Sequence, residues 1–166
     1  MNESRASLER SAWLAVVQAY QVCTRQYTRM LSAYDLTVAQ FDALTRIQEL
    51  GQRQEHVTPH EIAEAMLVTR GNLTGLIRRL QERHLLSTQP HPEDGRSVTC
   101  QLTTIGVELL TEAQRASAVF IQEQLEPFGT QSLIETREQM RAMAAHLETL
   151  DPDNIVERSQ SRKQAS

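Results

Sequence analysis

Residues 68–84 read VTRGNLTGLIRRLQERH, and the reading of this stretch decides the fold. Leu73, Leu76, Ile77 and Leu80 recur at intervals of three and four, which places them on one face of a helix, with Thr69 as its N-cap. On a wheel turning about 100° per residue, Gly71, Gly75 and Arg78 fall opposite that face, flanked by Arg70, Asn72, Thr74 and Arg79. The solvent side therefore carries no acid before Glu82. A glycine inside a helix costs about 1 kcal/mol relative to alanine, so two of them on one exposed face ask for a reason. Close approach to a duplex is such a reason: small residues let the helix sink into the major groove while Arg, Asn and Thr reach bases and phosphates. The plainer reading leaves Gly71 in a turn and gives Gly75 no role.

Upstream, VTPHEIAEAM (residues 57–66) has Thr58 as N-cap, Pro59 at the first helical position and Glu61 at the third. That is a capping box, and it starts a short helix one tight turn before the first. DLTVAQFDALTRIQELG (residues 35–51) is a further helix, with Thr37 as N-cap, Phe41, Leu44 and Ile47 on one face and Gly51 as its stop. Downstream the period changes from helical to two. In RSVTCQLT (residues 96–103) Val98, Cys100 and Leu102 alternate with polar residues, and HPEDG (residues 91–95) separates this run from LLSTQP (residues 85–90). Two extended runs around a Pro/Asp/Gly turn make a β-hairpin. Two short helices and a hairpin form a winged helix-turn-helix.

Helical periodicity also fills both flanks. From Ser7 to about Ala33 an apolar stripe runs through Val16, Ala19, Cys23, Tyr27 and Met30, and Trp13, Tyr20, Tyr27 and Tyr34 stand seven apart. Such a stripe serves as core, as a dimer seam or as the wall of a ligand site. Helices are expected again from Thr104 to Leu125 and from about Gln131 to Leu150, and the polar segment from Asp151 reads as a frayed tail. The fold class is thus mainly α with a small β-hairpin wing.

Composition excludes several functions. Among 166 residues no apolar run is long enough to span a bilayer, and the first 17 residues lack the pattern of a signal peptide, so a cytoplasmic protein with no membrane partner is expected. Cys23 and Cys100 are too few for a disulfide framework. The net charge of −4 is unevenly spread: Met66–Ser97 holds five basic and three acidic residues, whereas Val98–Ser166 holds six basic and ten acidic. Of the 17 basic residues only Lys163 is lysine, and arginine suits forked contacts to phosphates and base edges. A GC-rich coding sequence produces the same excess. His56 with His60, or His91 with Glu93 and Asp94, lack the spacing of a metal site, and no nucleophile elbow, phosphate loop or HExxH is present, so neither cofactor nor enzymatic activity is expected.

The runs LTVAQFDALTRI, VTPHEIAEAM, VTRGNLTGLIRRLQERHLL and PEDGRSVTCQLTTIG, in this order, resemble the MarR family of bacterial transcription regulators. The wing pattern, Asp94-Gly95-Arg96 with Leu102-Thr103 six residues on, is among the most specific parts of the resemblance. It implies dimerisation through an N-terminal helix (residues 1–35) and C-terminal helices (104–150), a DNA-binding domain at 36–103 and a polar tail at 151–166. A homodimer on a pseudo-palindromic double-stranded operator, acting as a repressor at the nucleoid, follows from it. The DNA-binding residues so implied are Thr69, Arg70, Gly71, Asn72, Thr74, Gly75, Arg78, Arg79, Arg96 and Ser97. Arg78 stands where the family commonly has aspartate, Gly95 where a second basic residue is common, and His84 where the helix usually ends in glycine; His84 would have to adopt the left-handed conformation.

The resemblance also implies release by a small aromatic or phenolic acid. Trp13, Tyr20 and Phe41 are the candidate pocket, with Arg10 as counter-charge. Two other readings stand beside it: a thiol-based redox sensor through Cys23, and a helical dimer that keeps the fold as a protein-interaction module.

Overall fold

The computed structural model describes residues 3–94 and 97–164. Its elements in chain order are α1 (Arg5–Ser32), α2 (Val38–Gly51), α3 (Pro59–Met66), α4 (Arg70–Glu82), β1 (Leu86–Pro90), β2 (Val98–Leu102), α5 (Thr104–Leu125), α6 (Thr130–Leu147) and α7 (Pro152–Gln164). Each expected N-cap of the head is in place. Thr37 accepts from the Gln40 amide and Thr58 from that of Glu61, and both close as capping boxes; Thr69 caps α4 through the Asn72 amide. Three local signals thus set the starts of α2, α3 and α4.

The chain divides into two compact units, Met1–Ile121 and Gln122–Ser166. In the first, one core gathers Ala43, Leu44 and Ile47 of α2, Ile62 of α3, Leu73, Leu76, Ile77 and Leu80 of α4, and Leu85, Leu86 and Cys100 of the wing. Leu31 from the end of α1 and Leu110 and Ala113 of α5 join it. The buried side chains of α4 are the four that the periodicity selects. β1 and β2 pair antiparallel, with Leu86 opposite Leu102 and Pro90 opposite Val98. The Cys100 amide donates to the Val57 carbonyl (2.7 Å), which ties the wing to the segment before α3.

Two long-range contacts fix α4 to its surroundings. Arg83 at its C-cap donates from Nη1 to the Asp35 carbonyl (2.5 Å) in the turn after α1. At the start of α5, Gly106 packs so tightly on the chain leaving α4 that an added Cβ would lie 2.1 Å from the Leu85 carbonyl oxygen. Thr103 reinforces this junction: its hydroxyl donates to the His84 carbonyl (2.6 Å) and accepts from the Gly106 amide (3.0 Å). His84 has φ 57°, the left-handed backbone its position calls for.

In the second unit α6 buries none of its side chains, and Ile134, Met140, Met143 and Leu147 are exposed. The segment read as a frayed tail is helical over Pro152–Gln164. Asp151 caps it, its Oδ1 accepting from the Asp153 and Asn154 amides, and Pro152 takes the first helical position. The cap signal was present, but a polar segment shows no apolar stripe to draw attention to it.

Candidate nucleic-acid interface

The solvent face of α4 is bare at its centre. A Cβ built on Gly71 would meet nothing within 4 Å, and one on Gly75 would meet only Arg79 Nη1, at 3.7 Å. Around this strip Arg70, Asn72, Thr74, Arg78 and Arg79 are exposed. Three of the polar groups already have partners in the protein: the Thr74 hydroxyl donates to the Arg70 carbonyl (2.9 Å), Arg78 Nε lies 3.8 Å from Glu82 Oε1, and Arg70 Nη2 lies 3.4 Å from His60 Nδ1. Thr69 spends its side chain on the cap, so it shapes the N-terminus of α4. That end presents amide donors and a positive dipole end, both favourable to an anion.

The wing stands beside this helix. Its loop is closed by the His91 amide donating to the Ser97 carbonyl (3.0 Å) and by the Ser97 amide donating to the Asp94 carbonyl (2.9 Å). The His91 ring also packs on His56, with centroids 5.2 Å apart. Gly95 and Arg96, the latter expected at the wing tip, lie outside the described residues. Between wing and helix, Thr58, Pro59, His60, Arg70, Thr74 and Ser97 line a cleft of about 560 Å³. On the other flank of α4, Gly71, Asn72, Gly75 and Arg79 line a depression of about 380 Å³ with Ala39 and Met66. The structure thus brings nine of the ten expected interface residues to α4, its cap and its two flanking hollows, the tenth being Arg96.

The turn between α3 and α4 holds a residue that the sequence reading did not single out. Leu67 adopts φ 55° and ψ 41° and is 91% exposed. A leucine in left-handed backbone, with its side chain in solvent, gains nothing from burial to offset the strain. Behind it, burial of the Glu61 carboxylate would raise its pKa. Hydrogen bonds from the Thr58 amide and hydroxyl and from Gln54, with the nearby His60, outweigh this and hold it below the ordinary value.

Residues 34–97 match the model of the MarR family. The chain is 27% identical over 140 residues to the HTH-type transcriptional repressor IacR of Pseudomonas putida, a match covering 83% of this chain and 79% of that protein. Across its winged helix-turn-helix, residues 34–97, this chain is thus similar to the MarR family of transcription regulators. Two solved structures share its fold. One is a mutant MarR from E. coli complexed with operator DNA (TM-score 0.72, 22% identity, 85% of this chain and 99% of that one). The other is an organohalide-sensing RdhR transcriptional regulator in its 2,4-dichlorophenol-bound form (TM-score 0.74, 17% identity, 88% and 86%).

The candidate effector residues are dispersed. Phe41 is half-buried on the core and meets the Tyr27 ring edge-on at 6.1 Å; Tyr27 also packs on Phe120 at 5.4 Å and shares a hydrogen bond with Ser117 (2.8 Å). Trp13 and Tyr20 are 61% and 70% exposed, and Arg10 is exposed beside them. A helix rises about 1.5 Å per residue, so Trp13 stands about 21 Å along α1 from Tyr27. The seven-residue stripe is real, but only its C-terminal half, Tyr27 and Tyr34, packs on the core. Phe120 and Ser117 are partners of Tyr27 that spacing could not reveal, since 90 residues separate Tyr27 from Ser117.

Neither cysteine is in a disulfide. Cys100 is buried in the wing, and desolvation pushes its thiol up to about 11, far from the thiolate form a redox sensor needs. Cys23 is half-buried on α1. Among the described residues no group of three metal-binding side chains occurs, and no helix is long and apolar enough to cross a membrane.

Proposed function

We propose that this chain is a repressor that binds a pseudo-palindromic operator as a homodimer and is released by a small aromatic or phenolic acid. The observation that carries the DNA-reading part is the bare glycine strip of α4, open above Gly71 and bordered by Arg70, Asn72, Thr74, Arg78 and Arg79. In this reading α4 enters the major groove, and Arg96 enters the adjacent minor groove, whose negative potential favours an arginine. Arg78 exchanges Glu82 for a phosphate, a small cost for so exposed a pair.

Support for the dimer comes from apolar side chains exposed on the flanking helices, including Leu8, Trp13, Leu14, Tyr20 and Val22 on α1 and Ile134, Met143 and Leu147 on α6. Support for a phenolic effector comes from the dichlorophenol-bound relative of the same fold. The effector site is read as centred on Phe41 and Tyr27, with Arg10, Trp13 and Tyr20 brought to it by the second copy.

The test is a gel-shift salt series on duplexes selected from a random pool by the purified protein. Log affinity should fall steeply with log salt, and Arg96→Ala and Arg78→Ala should each reduce both affinity and slope. Unchanged affinity and slope in both variants would remove the groove assignments. A panel of aromatic acids should quench Trp13 fluorescence and release the duplex; a compound set that does neither sinks the effector reading.

A further inference from the structure

We propose that His60 is a positioning residue for DNA recognition: with Glu64 behind it, it holds the Arg70 guanidinium at the cleft between α4 and the wing. The inference rests on the reading of Arg70 as a DNA contact.

A guanidinium has only donors. Arg70 Nη2 stands 3.4 Å from His60 Nδ1, so that ring nitrogen has to accept. A neutral imidazole accepting at Nδ1 carries its proton on Nε2, and His60 Nε2 lies 3.4 Å from Glu64 Oε1. One neighbour on each side thus fixes the tautomer and the ring orientation, as a carboxylate behind a histidine commonly does. A ring carrying its proton at Nδ1 would set donor against donor there. The other charged groups around it are Glu61 on α3 and Asp94 of the wing loop, which lines the same cleft.

The placement gives this chain of side chains a purpose. His60 and Glu64 are one turn apart on α3, and Arg70 is the first residue of α4, so the three bridge the turn at Leu67 from outside. His60 and Arg70 line the cleft together with Thr58, Thr74 and Ser97. An exposed arginine otherwise samples many rotamers, and holding it in one before the duplex arrives lowers the ordering cost of binding.

A double-mutant cycle on the selected duplex tests this. His60→Ala should weaken binding about threefold, the size of one modest hydrogen bond, and Arg70→Ala should weaken it more. In the Arg70→Ala background, His60→Ala should have no further effect. His60→Asn, whose Oδ1 stands where Nδ1 stood, should restore most of the affinity. An equal loss from His60→Ala in both backgrounds, which a merely structural role would produce, overturns the proposal, as does failure of asparagine to rescue. If Arg70→Ala itself leaves binding unchanged, the contact reading fails and the role of His60 falls with it; failure of the cycle alone leaves the contact standing.

Discussion

The two helices α4 and α6 are amphipathic to different ends. In α4 every apolar residue of the stripe is buried, and the opposite face is small and basic. In α6 no residue is buried, although Met140, Met143 and Leu147 recur at intervals of three and four. The N-terminal half of α1 resembles α6, with Leu8, Trp13, Leu14 and Tyr20 exposed, while its C-terminal end at Leu31 is fully enclosed. The head satisfies its own hydrophobic demand within one chain, and the flanks do not. A helical period says that a face wants a partner; it does not say whether the same chain supplies one.

The sharpest break of this contrast comes at the junction that locks the head. Gly106→Ala would drive a methyl carbon into the backbone of Leu85, at its carbonyl group, where no flexible side chain can yield. Overpacking of this kind costs about 1–3 kcal/mol, and the upper end is expected; thermal melts should show a large drop in Tm. A drop as small as that of a surface substitution would mean that the α5 junction is looser than it looks.

The flanks should respond to a different test. Trp13→Glu combined with Tyr20→Glu should leave the melting of the head almost unchanged while shifting the mass measured by analytical ultracentrifugation from dimer to monomer. A double variant that melts poorly at every concentration, with no change of mass, would show these side chains to be core after all.

A smaller effect is expected at the capping box of α3. Thr58→Ala should cost about 1 kcal/mol. Because the Glu61 pKa is lowered in the folded protein, its contribution is fully present above the ordinary value of 4.5 and is lost as pH falls through the lowered folded value. Thr58→Ala removes the hydroxyl's share of that lowering and keeps the amide's, so denaturant midpoints of the variant should fall slightly less steeply than wild type below about pH 4.5. Parallel pH profiles would count against it.

The smallest effect has the opposite sign. Leu67→Gly relieves a left-handed leucine whose side chain buries nothing, and should stabilise the head by about 0.5–1 kcal/mol after the entropy cost of glycine is subtracted. Destabilisation would reveal a contact for Leu67 that its exposure hides.

These outcomes divide along what could be read in the sequence. The caps at Thr37, Thr58 and Thr69, the apolar face of α4 and the two strands of the wing are local patterns, and each is where the pattern placed it. His84 was legible because the helix end demanded left-handed backbone whatever residue stood there. Leu67 was not, because an unremarkable leucine carries no mark of its φ. Arg83 counted as one more positive charge of the DNA-facing segment until its partner, 48 residues away, was known. Gly106 and the Tyr27–Phe41–Phe120 cluster are tertiary facts of the same kind.

The inward turn of Arg83 changes an ionic inventory. Of the five arginines between Met66 and Ser97, one is held on the Asp35 carbonyl, which leaves Arg70, Arg78, Arg79 and Arg96 to displace cations from a duplex. At about 0.9 of a counterion per neutralised phosphate, this segment of one head can contribute a salt exponent no larger than about 3.6. Glu82 already competes for Arg78. On the proposed interface this segment would thus supply a light ionic grip, and a larger share of its contribution would have to come from how closely the glycine strip meets the bases.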